Sequence, residues 1–312
     1  MAGTFSSQSQ LEELTHLNIE DFLTSLGLEK IRLGRRLLDA VCWYPAHRFA
    51  RQIIAFDNDS GKRGLKEAAE EILRGYIHSL QVEGAENIPH SGPVLILANH
   101  PGMTDTLSLF ASLPRPDLYV VAADRAFLRA LPNSAEHLIF VPDDTSRRTK
   151  VVREVVKSLR EGNTVLICPA GQIEPDPAVM PGALESLKDW SESISVFTRL
   201  VPQTQIVPVI VSGVIWKATL NNPLTHLRKR QKDRERMAAA LQIMMQLMRP
   251  SLRPVDVKVT YGPALQVERD QGSIMPVVIE QVKLLIEKIT TEAAMKRNVS
   301  SLMFTAEGGT SL

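Results

Sequence analysis

A histidine held by a carboxylate can take a proton from a hydroxyl, and that is the chemistry offered by His100-Pro101-Gly102-Met103-Thr104-Asp105. A carboxylate on the far ring nitrogen holds the imidazole in the useful tautomer while the other nitrogen acts as base. Spacing alone decides little, because seven histidines and 14 aspartates make about 0.3 such pairs expected by chance. The chain holds two, and His16-Leu17-Asn18-Ile19-Glu20-Asp21 is the other. Context separates them. His16 lies in a polar segment with no strand ahead of it, whereas His100 follows the apolar run Pro93–Ala98 and precedes a helix expected from about Thr104. On a continuous helix, residues five apart sit about 140° apart around the axis, so the pair needs a turn to face each other. Pro101-Gly102 supplies one.

Positioning such a pair requires strands with loops at their ends. Val94–Ala98, Leu118–Val121, Thr164–Cys168, Ile206–Val211 and Val257–Tyr261 are short apolar runs of the kind that form buried strands. Helical patterns separate most of them, over Arg147–Arg160, Gly182–Leu200 and Asp233–Arg249. The alternation predicts an α/β domain with a buried, partly parallel sheet flanked by helices, over residues 81–297. Ahead of it, residues 1–80 read as a helical cap. One amphipathic helix starts at Ile31 and stops at Pro45, a second carries Phe49, Ile53 and Phe56 to a turn at Asp57–Gly61, and a third runs from about Gly64 to Leu80. Residues 298–312 read as a flexible tail.

Composition narrows the function. A chain of 312 residues, 44% hydrophobic and 23% charged, can bury a large core. Its formal net charge of +1 supplies no chain-wide footprint for nucleic acid, and none is expected as a partner. Two cysteines, Cys42 and Cys168, make neither a disulfide framework nor a cysteine-rich zinc site, which fits a reducing, cytoplasmic setting. The longest apolar run, Ile206–Trp216, falls short of the roughly 20 residues that span a bilayer. Contact with a membrane would be at its surface, where Trp43, Tyr44 and Phe49 among Arg35, Arg36, Arg48 and Arg51 suit headgroups. The basic stretch His226–Lys232 and the Met-rich helix after it suit anionic lipid or a phosphorylated carrier.

One further segment precedes the histidine motif, the lead-in Val82–Pro89, and two follow it in order: Cys168-Pro169-Ala170-Gly171 ends one strand, and Gln205-Ile206-Val207-Pro208-Val209 begins another. As an ordered set over roughly residues 80 to 265, they resemble the lysophospholipid (1-acylglycerol-3-phosphate) acyltransferase family. Its Asn-His-x-Ser-x-x-Asp pattern is matched by Asn99, His100 and Asp105, with Gly102 in place of serine. The resemblance implies a glycerol-phosphate-acyltransferase-like α/β sheet, acyl-CoA or acyl carrier protein as donor, and a lysophospholipid or glycerol-phosphate-like acceptor at the inner face of a membrane. It implies His100 as general base, Asp105 as its partner, and substrate contacts from Asn99, Gly102, Pro169, Ala170 and Gly171, the last turn approaching the acceptor or helping the developing oxyanion. No metal or cofactor is called for.

The chain departs from the family where Phe-Pro-Glu-Gly-Thr-Arg is usual, having Cys168-Pro169-Ala170-Gly171-Gln172-Ile173, without the glutamate and the arginine. The arginine usual before that motif is also missing, Phe140-Val141-Pro142-Asp143-Asp144 being acidic there. Arg147, Arg148 and Lys150 stand close by for a phosphate. Two other readings stay open at this point. One makes Cys168 a covalent nucleophile activated by His100, and the other makes the protein a lipid-binding scaffold on an acyltransferase fold.

Overall fold

The computed structural model describes residues 7–31, 34–144, 148–228, 230–266 and 273–307. Three helices open the chain: α1 (Ser7–Leu26), α2 (Arg35–Arg63) and α3 (Leu65–Leu73). The sheet strands β1 (Ser79–Glu83), β2 (Val94–Ala98), β3 (Leu118–Ala123), β4 (Leu138–Val141), β5 (Thr164–Ile167), β6 (Gln205–Ser212), β7 (Asp256–Tyr261) and β8 (Leu265–Gln266) then alternate with helices. Those helices are α4 (Met103–Ser112), α5 (Ala126–Arg129), α6 (Pro132–Ala135), α7 (Arg148–Arg160), α8 (Ala183–Ser186), α9 (Ile194–Leu200), α10 (Lys217–Leu220), α11 (Gln231–Met248) and α12 (Met275–Glu307).

The strands pair in the order β1-β7-β6-β2-β5-β3-β4, with β8 added beside β6. From β6 to β4 all pairs are parallel, while β7 runs antiparallel to β6. The sheet is therefore an α/β sheet with parallel strands at its centre, as the alternation predicts. All five residues of β2 are buried, because both faces of the sheet are covered. Alternate residues still part company: Val94, Ile96 and Ala98 join the core under α1 to α4 and α11, while Leu95 and Leu97 join the core under α7, α9 and α12. On α12, Val278, Val282, Ile286 and Ile289 recur at helical spacing and are buried in that second core.

Several boundaries differ from the sequence reading. The helix expected to stop at Pro45 and turn at Asp57–Gly61 is one continuous helix, α2. Its buried stripe, Cys42, Ala46, Phe49, Ala50, Ile53 and Phe56, carries it past the amide that proline removes. Asp57 and Gly61 serve packing. Asp57 Oδ1 accepts from Ser134 N at 2.7 Å, capping the short α6, and a Cβ on Gly61 would stand 2.3 Å from Asn133 Oδ1. The third helix ends at Leu73, and Leu80 lies in β1 rather than on a helix. Gly182–Leu200 is broken into α8, a 3-10 turn and α9, because Trp190 turns into the second core. The last helix runs across Asn298 to Glu307, where the sequence suggested a tail.

Phe49 also departs from its expected place at an interface: it is buried and stacks on Phe127 with centroids 6.0 Å apart. Arg35 is paired with Asp39 at 2.7 Å and with Glu20. Arg228, from the basic stretch, donates to the carbonyl of Leu26 at the end of α1. Lys229 and the side chain of Lys232 lie outside the described residues.

Candidate active site

His100 leaves the carboxyl end of β2, next to β5 on one side and β6 on the other. Loops at the carboxyl ends of parallel strands are where α/β sheets place their chemistry. Pro101 and Gly102 turn the chain so that Asp105 falls in the first turn of α4, and the imidazole Nδ1 lies 2.8 Å from Asp105 Oδ2. Asp105 is buried, at 1% exposure, and both of its oxygens are used. Oδ2 also accepts from Gly102 N at 2.9 Å, while Oδ1 accepts from the Thr106 hydroxyl at 2.9 Å and from the Thr106 amide. The carboxylate thus caps α4 and orients the imidazole together. The other pair with this spacing does not assemble. His16 and Asp21 lie within the continuous helix α1, pointing to different sides.

Asn99 is bound on both sides to one residue of β6. Its Nδ2 donates to Val211 O at 2.9 Å and its Oδ1 accepts from Val211 N at 2.8 Å. It extends the pairing of β2 with β6 by one residue and sets the point from which His100 departs. Gly102 is buried under the loop after β6. A Cβ there would come within 3.3 Å of Ile215 Cδ1, so glycine fits where the resembled pattern has serine.

Cys168 follows β5 directly beside this edge, since Leu97 pairs with Ile167. The turn it opens closes on itself: Gly171 N donates to Cys168 O at 3.0 Å, and Gly171 adopts φ 61, which glycine permits. The amide of Gly171 is therefore engaged in its own turn. Pro169 is buried and its carbonyl accepts from Ser191 N at 3.2 Å. Ala170 packs partly buried against the second core. Burial pushes the Cys168 thiol well above its ordinary pKa, and Asp105 and Glu174 add to the rise, so it is not a thiolate of the kind that attacks thioesters. Arg147 and the side chain of Arg148 lie outside the described residues. Lys150 is exposed on α7 and sits 3.5 Å from Glu154.

Two carboxylates in Glu174-Pro175-Asp176-Pro177 complete the site, and sequence reasoning missed both. Glu174 N donates to His100 O at 2.9 Å, and Glu174 Oε2 accepts from His100 N at 3.3 Å. Asp176 is fully buried and accepts from Gly213 N at 2.9 Å, Val214 N at 2.8 Å, Ile215 N at 3.1 Å and Ala178 N at 3.0 Å. It holds down the loop that covers Gly102. The signal was present in the alternation of acids with prolines. An extended segment sends residues i and i+2 to the same side, and the prolines leave its acids to seek donors elsewhere.

The charge of Asp105 raises the His100 pKa above its usual value, with a smaller push from Glu174 against the lowering effect of burial. Imidazole protonation thus favours the folded state. That contribution is complete below the unfolded pKa and is lost as pH rises through the folded one. A groove of about 880 Å3 between α1 and α2, lined by His16, Trp43, His47 and Arg51 among others, contains none of these groups.

The Acyltransferase family model matches residues 79–212, from the start of β1 to the end of β6, which includes every residue described at this site up to Ser212. No curated protein is similar enough to this chain to count as a relative. Among solved structures, the crystal structure of the 1-acyl-sn-glycerophosphate (LPA) acyltransferase PlsC from Thermotoga maritima aligns with a TM-score of 0.45 and 17% identity, over 89% of this chain and 97% of that one.

Proposed function

We propose that this chain, whose residues 79–212 match the Acyltransferase family model, is an acyltransferase that moves a fatty acyl group from acyl-CoA or acyl carrier protein to the hydroxyl of a lysophospholipid or glycerol-phosphate-like acceptor at a membrane surface. One observation carries the reading: His100 is bound at Nδ1 by a buried aspartate, while a third of its side chain stays exposed, at 34%. That leaves Nε2 for the acceptor. As the hydroxyl oxygen attacks the thioester carbonyl, Nε2 takes its proton and Asp105 stabilises the imidazolium. The tetrahedral intermediate then expels the thiolate, the C–S bond breaks, and the imidazolium returns the proton to sulfur. Ester and free thiol result, and the reaction balances through proton movement alone, without a cofactor.

Arg147 and Arg148, which follow Asp143-Asp144 closely in the sequence, would meet a phosphate on the acceptor. The raised pKa of the Cys168 thiol supports direct attack by the acceptor over an acyl-cysteine intermediate. Cys168→Ala is expected to keep at least about a third of wild-type kcat, and quenched reactions should contain no protein-bound acyl group. A loss beyond about a hundredfold, with acyl-enzyme trapped in the wild type, would favour the covalent route.

Among the described residues, no helix is long and apolar enough to cross a membrane. Leu37, Val41 and Tyr44 are exposed at 70%, 60% and 50% and recur on one face of α2, with Trp43 beside them at 51%. This supports docking at a membrane surface. Glutamate at Leu37, Val41 and Tyr44 together should weaken vesicle binding by at least about tenfold, since each large apolar side chain withdrawn from lipid forfeits about 1 kcal/mol or more. Co-sedimentation with anionic vesicles measures it, and unchanged binding would place the lipid contact elsewhere. The reaction itself is tested by supplying both donors with lysophosphatidate, glycerol phosphate, neutral and amine-bearing acceptors in turn. Product with a phosphate-bearing glycerolipid is expected, and product only with an amine would overturn the acceptor class.

A further inference from the structure

We propose that Glu174 is a positioning residue for His100, holding the main chain of the base while Asp105 holds its ring. The inference rests on His100 being the base. Ala170 leaves the turn after β5 without a carboxylate, and the chain brings one in from four residues further on. The contact is reciprocal, because the amide of each residue bonds to the other, His100 N to the carboxylate at 3.3 Å and Glu174 N to the His100 carbonyl at 2.9 Å. Two bonds across one residue fix the backbone from which the imidazole departs. The carboxylate is anchored in turn. Its Oε1 accepts from Trp190 Nε1 at 2.9 Å and from Ser186 Oγ at 3.0 Å, and the residue is 2% exposed.

A carboxyl group buried this far would be costly as an anion without donors. Burial does raise the Glu174 pKa, while the bonds from Trp190, Ser186 and His100 act in the opposite direction. Its charge reaches the imidazole as well. The titratable groups facing His100 are Asp105 from α4 and Glu174 from the loop after β5. The Cys168 thiol at the end of β5 interacts with both carboxylates and stays protonated. His100 therefore lies between two acids, one on its ring and one on its backbone. A side chain that only filled space here would leave the protonation of the imidazole unchanged.

Glu174→Gln in the full-length protein separates these roles, since the amide keeps the volume and the acceptor for Trp190 and Ser186 but loses the charge and sets a donor against His100 N. Expected are KM values within about twofold for donor and acceptor and a kcat about tenfold lower, as a loosened base would give. The acid limb of the kcat profile and the His100 titration followed by NMR should both move to lower pH. Ser186→Ala, which removes one donor from the anchoring oxygen, should move both in the same direction by less, and serves if the glutamine variant does not fold. A folded variant with unmoved profile and unmoved titration would overturn the proposal. An active His100→Ala would instead overturn the base reading, which the NMR titration in Glu174→Gln does not depend on.

Discussion

Alanine in place of His100 is expected to lower kcat for acyl transfer by about 10³-fold or more, with KM for both substrates little changed. The loss falls on kcat because the imidazole contributes when the hydroxyl proton moves, and much less when the substrates bind. The fold should survive. Asp105 keeps its bonds from the Gly102 amide and from Thr106 when the imidazole is removed, so the first turn of α4 stays capped. Initial rates beside a thermal melt by circular dichroism measure both effects. A folded variant retaining more than about a tenth of the wild-type rate would remove His100 from the chemistry.

Asp105→Asn should cost about 10² to 10⁴ in kcat, nearly as much as removing the base. The amide has almost the same size and occupies the same buried position, yet it presents one acceptor and one donor where the native group presents two acceptors. Gly102 N and His100 Nδ1 both approach Oδ2 at 2.9 and 2.8 Å, so an amide nitrogen there would repel one and flip the other's tautomer. With its proton on Nε2, the imidazole cannot take the acceptor's. The pH dependence carries an independent sign. Asp105 is the largest cause of the raised His100 pKa, and a base is active when neutral, so the wild-type rate rises with pH through a midpoint above the ordinary histidine value. Asparagine should move the residual activity's midpoint downward. Stability should fall by about 1 to 3 kcal/mol, because a buried amide donor loses its acceptor.

The centre of the sheet was legible because β2, β5 and β6 are buried on both faces and so appear as nearly unbroken apolar runs. Val94–Ala98, Thr164–Ile167 and Ile206–Val211 have no polar residue except a first threonine. β1 shows in the sequence only as the lead-in at Val82, for the opposite reason: it is an edge strand, and Ser79–Glu83 has no fully buried residue and no unbroken hydrophobic run. Asp57 and Gly61 misled because turn residues chosen for a contact with Asn133 and Ser134 carry the same composition as turn residues chosen for a bend. Tertiary contacts decide between the two, and they come from 70 or more positions away.

The site divides along the same line. His100 and Asp105 are five residues apart, joined by a turn whose two residues reveal its purpose, so local context was enough to prefer them over His16 and Asp21. Glu174 reaches His100 across 74 positions, and Asp176 reaches the loop after β6 across 37 to 39. Nothing near either carboxylate in sequence identifies those donors. The resembled pattern has its glutamate where this chain has Ala170. The strand ends bring residue 174 to the histidine by a different path.

The most direct test of His100-dependent acyl transfer is a single-turnover reaction. Excess purified enzyme is mixed with a labelled acyl thioester and lysophosphatidate in anionic vesicles, and wild type is run beside His100→Ala. The account predicts that label passes to the acceptor as an ester with one thiol released per ester formed, that no release occurs when the acceptor is withheld, and that the variant transfers nothing on the same timescale. Vesicle binding without transfer by a folded wild-type protein would contradict it and point to a lipid-binding scaffold.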